Sequence, residues 1–300
     1  MIKWTLIAIW LGAITYVYFR GRVRVSFFRT IMDHSAVLAP VNAFMYLFSA
    51  VPPRPYVPAA SIQGLQALDD NWEIIREEAR QLAEAQRIRA ADKNNDAGFN
   101  SFFKTGWKRF YLKWYEAEHP SAEVYCPQTV RILRGIPQVK AAMFAVLPPG
   151  GKLNPHRDPF AGSLRYHLGL VTPNDDSCFI EVDGERYSWR DGQSVVFDET
   201  FIHWAENRSD VTRTILFCDV ERPLKYRWAE RLNRWFSRVF MTAASSPNQE
   251  GDQTGLVNKL FHVSWVMGQY RRRLKHWNRT VYQVVRIALI LAVLALIIYI

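Results

Sequence analysis

Two histidines and an aspartate stand where they could share one metal ion: His156 and Asp158 in the run His156-Arg157-Asp158, and His203 further along the chain. In an extended segment residues two apart project to the same side, so His156 and Asp158 can reach one ion while Arg157 points away. His203 follows the turn Phe197-Asp198-Glu199-Thr200, where an antiparallel partner strand can close the triad. Two imidazoles and a carboxylate on one side of a metal leave its other side open, the arrangement of a non-haem ferrous site. Taken alone, H-x-D is a weak signal that an ordinary surface pair also satisfies. The surrounding residues add to it. Arg213 follows His203 across a turn, so a hairpin can bring its guanidinium beside the metal pocket, where a planar fork suits a carboxylate. Buried against Ile215-Leu216-Phe217, an arginine requires an anionic partner. Arg165 and His167, again two apart, sit on the strand after the first ligands. They are candidate cosubstrate or substrate contacts, or else members of a structural salt bridge.

The elements that must hold these residues are strands. From residue 139 the pattern has a strand period, with candidates at 139–147, 164–171, 178–182, 185–189, 193–197, 201–206 and 213–220. Turn signals separate them at Pro173-Asn174-Asp175, Asp183-Gly184, Asp191-Gly192 and Asn207-Arg208-Ser209-Asp210. Short strands joined by Asp-Gly turns indicate an antiparallel sandwich or jelly roll. Ahead of them, Asp69 or Asp70 can cap a helix over 71–90, with Ile74, Ile75, Ala79, Leu82 and Ala83 on one face and Glu77, Glu78, Arg80 and Glu84 on the other. The aromatic stretch 99–115 reads as a core and lid region, and 129–133 as a helical piece with solvated Arg131 and Arg134.

The chain has 300 residues, 49% of them hydrophobic and 14% aromatic, which excludes a disordered or fibrous protein. Cys126, Cys178 and Cys218 are odd in number and far apart, so neither a disulfide framework nor a zinc ribbon is expected and a reducing compartment fits. The net charge of +10 gathers beside two apolar ends, at Arg20, Arg22, Arg24 and Arg29 and again at Arg271, Arg272, Arg273, Lys275 and Arg279. With no recognition motif, nucleic-acid binding is excluded. Residues 2–19 read as an uncleaved transmembrane helix, long enough if Lys3 snorkels, rather than as a cleaved signal peptide. Residues 281–300 read as a second. Both arginine clusters face the middle of the chain, so the positive-inside rule places that middle in the cytosol of an inner-membrane, multi-pass protein. Segment 37–58 reads as an interfacial segment and proline linker, a re-entrant or core-packed piece being the competitor. Residues 59–245 form the globular domain, and 255–279 an amphipathic basic juxtamembrane segment.

The succession His156-x-Asp158, Leu164-Arg165-Tyr166-His167-Leu168-Gly169-Leu170, Asp191-Gly192, Val196-Phe197-Asp198, His203 and Arg213 resembles the aspartyl/asparaginyl β-hydroxylase family of 2-oxoglutarate dioxygenases. The resemblance covers about residues 139–223. It implies a mainly β catalytic domain, a double-stranded β-helix with flanking helices. It implies Fe(II) held by His156, Asp158 and His203, with 2-oxoglutarate and O2 as cosubstrates. Arg213 is then expected on the distal carboxylate of 2-oxoglutarate, with Arg165 and His167 nearby. Some family members lack the carboxylate ligand, and Asp158 supplies it here. Two anchors flanking a cytosolic domain are similar to the family's lipid-modifying bacterial members, which implies hydroxylation at the 2-position of a secondary acyl chain of lipid A or a related membrane lipid. Asp or Asn side chains of proteins are the alternative substrate, and a non-catalytic membrane scaffold is the alternative of another class.

Overall fold

The computed structural model describes residues 2–32, 34–91 and 95–285. Its strands are β1 Tyr56–Val57, β2 Lys108–Trp114, β3 Val139–Leu147, β4 Lys152–His156, β5 Ser163–Val171, β6 Cys178–Val182, β7 Glu185–Ser188, β8 Ser194–Phe197, β9 His203–Asn207 and β10 Arg213–Glu221. They form two antiparallel sheets, ordered β1-β8-β5-β10-β3-β2 and β4-β9-β6-β7. From β3 onward the chain passes repeatedly between the two sheets, the winding of a jelly roll in its double-stranded β-helix form. β2 escapes an alternation-based reading because both of its faces are covered: Phe110 and Leu112 pack on one core, Tyr111 and Trp114 on another.

Successive side chains of a strand point to opposite faces, and here each face of the larger sheet is buried. On β3, Ala141, Met143, Ala145 and Leu147 point between the sheets toward Ile180, Val182 and Ala205. Ala142, Phe144 and Val146 point the other way, into a cluster with Ile75, Ala79, Leu82, Val130 and Leu133. β5 and β10 follow the same rule. Tyr166, Leu168, Leu216 and Cys218 join the outer cluster, so Arg165, His167, Arg213, Ile215, Phe217 and Asp219 are left for the inner face.

The helices are α1 Ile2–Phe19, α2 Phe27–Met32, α3 His34–Val37, α4 Ala39–Leu47, α5 Gln66–Asp70, α6 Trp72–Glu84, α7 Pro120–Tyr125, α8 Pro127–Arg134, α9 Arg227–Phe236 and α10 Leu256–Trp277. The expected helix over 71–90 is shorter at its far end, because Gln86 takes a φ of 52° and turns the chain. Neither Asp69 nor Asp70 caps it: Asn71 is the N-cap residue, without a side-chain bond, and Asp69 accepts the Tyr166 hydroxyl instead. Glu78, expected on the solvated face, is buried, and its carboxylate accepts the Gln128 and Thr129 amides at the start of α8, where a helix favours an anion. Pro40 interrupts nothing, since it occupies the first turn of α4.

Residues 2–19 do form one helix, α1, of which Ala13, Ile14 and Val17 pack against Ala36 and Ala39 while Trp4, Leu6, Ile9, Leu11, Tyr16 and Phe19 are exposed. Among the described residues, no helix is long and apolar enough to cross a membrane. The expected second span, 281–300, lies outside the described residues from 286 onward.

At Gly169 on β5, an added Cβ would lie 2.1 Å from the Arg190 carbonyl oxygen. That neighbour is backbone and cannot swing aside. We expect Gly169→Ala to destabilise the domain by about 1–3 kcal/mol. A matched thermal melt should leave Gly98→Ala unchanged, since its Cβ would meet nothing within 4 Å; equal midpoints for both variants would contradict the packing described.

Candidate metal centre

β4 and β9 pair so that His156 lies opposite His203, past an irregularity between Leu153 and His156. The two rings stand 4.2 Å apart between centroids. Asp158 follows in the loop after β4, its Oδ1 3.6 Å from His156 Nε2. One ligand atom from each of His156, Asp158 and His203 falls within 4.8 Å of the others, and this set could hold a metal ion.

The chemistry of the three donors suits a divalent cation. His156 Nδ1 lies 2.7 Å from the Asn154 carbonyl and His203 Nδ1 lies 3.0 Å from that of Phe201. A carbonyl only accepts, so each Nδ1 carries the proton and each Nε2 keeps its lone pair for a ligand. Burial, aided by the neighbouring His156, pushes His203 down to about 3, so its neutral form prevails. Burial alone would raise Asp158, but Arg165 and the two imidazoles outweigh it and bring the carboxyl down to about 2.

Arg165 stands behind this carboxylate. Its Nη2 donates to Asp158 Oδ2 at 2.6 Å and its Nε to Asp219 Oδ1 at 3.0 Å, with the guanidinium carbon 3.7 Å over the Phe217 ring. Of the two roles open to it from sequence, the salt bridge is the one its contacts display. Tyr115 donates to the other Asp219 oxygen at 3.2 Å. Asp219 was legible in principle, because Arg213, Ile215, Phe217 and Asp219 are spaced by two on one strand.

Arg213 and His167 lie deeper. Both line the cavity that also takes in His156, Asp158 and His203, walled by Phe102, Trp107, Leu153, Ile180, Phe197 and Phe217. The cavity has a volume of about 40 Å³, where one water needs about 10–15 Å³. The Arg213 guanidinium sits 4.5 Å over the Trp189 ring. Its Nε and Nη2, and both ring nitrogens of His167, are buried without a partner among the described residues. Burial lowers Arg213 to about 10 and, with Arg165 and Arg213 adding repulsion, holds His167 well below the usual histidine range. A buried guanidinium with donors unmet fits a small carboxylate-bearing molecule.

Arg157 does not point to solvent. It is buried and donates to the Val17 carbonyl of α1 at 3.1 Å. Around it further long-range bonds hold the ligand-bearing segment: Arg29 donates to the Pro155 carbonyl, Asn42 bonds Pro159 and Ala161, and Asn233 of α9 bonds Gly162. These contacts join residues more than a hundred positions apart in all but the last case, and no local pattern announces them.

Residues 69–223, over half of the chain, match the family model for aspartyl/asparaginyl beta-hydroxylase. An ornithine lipid ester-linked acyl 2-hydroxylase from Rhizobium tropici is 38% identical over 122 residues, 40% of this chain and 43% of that protein. The aspartyl/asparaginyl beta-hydroxylase of Homo sapiens is 27% identical over 164 residues, 53% of this chain and 21% of its own. The chain thus spans less than half the length of either relative. A prolyl-4-hydroxylase structure from Pseudomonas putida aligns over 54% of this chain and 90% of its own at 18% identity, with a TM-score of 0.34, too slight a likeness to carry an argument. The family match takes in His156, Asp158, Arg165, His167, His203 and Arg213, and the chain belongs to the aspartyl/asparaginyl β-hydroxylase family.

Proposed function

We propose that the chain is a membrane-anchored Fe(II)- and 2-oxoglutarate-dependent hydroxylase that acts at the 2-position of a secondary acyl chain of lipid A or a related membrane lipid. The observation that carries this reading is the attachment of the 154–163 segment, which has His156 at the end of β4 and Asp158 in the loop after it, to helix α1, whose outward side is apolar, and to α4, through Arg157 and Asn42. With the exposed apolar side of α1 seated against the inner membrane, 281–300 as a further anchor and the arginine flanks on the cytosolic side, the cavity would lie beside the lipid. The Rhizobium tropici relative, an acyl 2-hydroxylase of ornithine lipid, supports the same substrate class. The apolar cavity wall suits methylene groups, each contributing about 0.8 kcal/mol when buried.

In this reading His156 Nε2, His203 Nε2 and the Asp158 carboxylate would hold the iron. Arg213 would take the far carboxylate of 2-oxoglutarate, with His167 beside it. When bound, iron and 2-oxoglutarate supply the oxidation: one atom of O2 enters a substrate C–H bond as hydroxyl, and the other enters succinate as 2-oxoglutarate loses CO2. The chain's own contribution is orientation. Arg165, fixed by Asp219, keeps the Asp158 carboxylate turned and ionised; the Asn154 and Phe201 carbonyls hold both imidazole tautomers; the aromatic wall excludes water. Hydroxylation of Asp or Asn side chains, after which the human relative is named, is the competing reading.

Two sets of measurements test this. In Co(II) titrations of the full chain, His203→Ala should abolish binding, and Asp219→Asn should weaken it by about 10–100-fold by freeing Arg165. Wild-type affinity in both would remove the proposed centre. In turnover assays Arg213→Met should raise the KM for 2-oxoglutarate by roughly 30-fold or more, as expected when one partner of a buried charge pair is truncated. Mass spectrometry of lipid A from cells with and without the expressed chain should reveal one added acyl oxygen. An unchanged oxygen count, with hydroxylation of an Asp- or Asn-containing peptide, would transfer the reading to protein substrates.

A further inference from the structure

Helix α9 has an apolar stripe that the fold does not use. At about 100° per residue, Ala229, Asn233 and Phe236 share one side. They are buried, with Ala229 and Phe236 packed alongside Phe160, Met45 and Leu224. Trp228, Leu232 and Trp235 recur at the same helical spacing about a quarter turn away, and they remain 53%, 42% and 55% exposed. On the far flank of that stripe come Arg227, Arg231 and Arg234, all exposed. The helix therefore presents a buried, an apolar and a basic stripe in order around its circumference.

The apolar stripe continues beyond the helix. Tyr226 stacks on Trp228, and the rings of Phe44 of α4 and of Phe48, the residue just after α4, lie 5.7 and 5.0 Å from Trp228. Leu47 of α4 and Val239 and Phe240 after α9 are exposed as well. A contiguous apolar surface of this kind marks an interaction site. Its chemistry identifies the occupant. Tryptophan and tyrosine favour the boundary between acyl chains and headgroups, and arginines beside them meet lipid phosphates. A helix lying flat, with its apolar stripe down and its basic stripe at the side, satisfies both at once. We infer that α9 is an interfacial helix that lies on an anionic bilayer, with Trp228, Leu232 and Trp235 in the acyl–headgroup boundary and Arg227 and Arg231 at the phosphates.

This inference goes beyond the proposed reaction and needs none of its chemistry. It has a consequence for the site, because Asn233 on the buried stripe donates to the Gly162 carbonyl at 2.8 Å, in the loop that follows Asp158. A Cβ on Gly162 would meet Asn233 Oδ1 at 2.1 Å, so helix and loop are in close contact. Seating α9 on lipid would fix the height of the cavity above the bilayer.

The test uses the full chain with an environment-sensitive fluorophore on a single added cysteine, at Leu232→Cys, at Trp235→Cys or, as a control on α6, at Glu84→Cys. The native Cys126, Cys178 and Cys218 are buried. Each protein is reconstituted into phosphatidylglycerol vesicles with and without a shallow lipid-borne nitroxide. We expect blue-shifted emission at 232 and 235 and nitroxide quenching there at least about two-fold greater than at 84. Arg227→Glu with Arg231→Glu should lower that quenching toward the control. Equal quenching at all three positions would overturn the inference. So would a blue shift at 232 and 235 that rises with protein density and ignores the nitroxide, since that outcome assigns the stripe to a second copy of the chain.

Discussion

One buried carboxylate ties together the parts that the candidate centre needs. Asp198 accepts from Arg20 at the end of α1, from Arg222 after β10 at 2.8 Å, and from Thr200. Arg222 also donates to the Ala161 and Ser163 carbonyls in the stretch after Asp158, and the Asp198 amide donates to the Pro55 carbonyl of the proline linker. Burial opposes ionisation here, yet Arg222 and Arg20 outweigh it and hold the carboxyl below the usual range. Three charges taken out of water are costly unless all are present, and loss of one partner from such a group typically costs about 3–5 kcal/mol. The apolar helix α1, the linker, the turn leading to His203 and the loop following Asp158 must therefore be assembled together.

The same logic runs along the inner face of the larger sheet. A jelly roll of this size would gain most from an apolar interior, and β3 has one in Ala141, Met143, Ala145 and Leu147. On β5 and β10 four inner positions go instead to Arg165, His167, Arg213 and Asp219, all buried, beside the apolar Ile215 and Phe217. Arg165 and Asp219 offset one another through a direct bond. Among the described residues Arg213 has Trp189 under its face and no carboxylate partner, so its charge is left to be met by a ligand. Function occupies the positions at which the fold forgoes hydrophobic stabilisation.

Much of this was legible from spacing alone. Apolar runs closed by Pro, Gly, Asn and Asp turns locate β3, β5, β6, β7, β8 and β10 to within a residue or two, and H-x-D with a later histidine and arginine singles out the residues that the structure gathers around one cavity. What stays hidden has a common cause. β2 lacks alternation because both faces are covered, Glu78 is buried by the start of a distant helix, and Arg157 and Arg20 find partners on elements far away in sequence. Local pattern reports which face of a strand is apolar. It carries no information on which distant carbonyl or carboxylate a buried charge will meet.

The arrangement of apolar surface bears on how a substrate would arrive. Exposed apolar residues line α1, end α4 at Leu47 and form one stripe of α9, and these are the helices that bond to the 154–163 segment through Val17, Asn42 and Asn233. A peptide entering from this side would have to leave its backbone donors and acceptors against apolar side chains, at roughly 1–3 kcal/mol for each one unmet. A hydrocarbon chain meets no such penalty at the exposed apolar residues of these helices or at the Phe102 and Trp107 wall of the cavity. The geometry that gathers the metal ligands and the geometry that would admit a lipid are set by the same few buried contacts, so a change that loosened one would loosen the other.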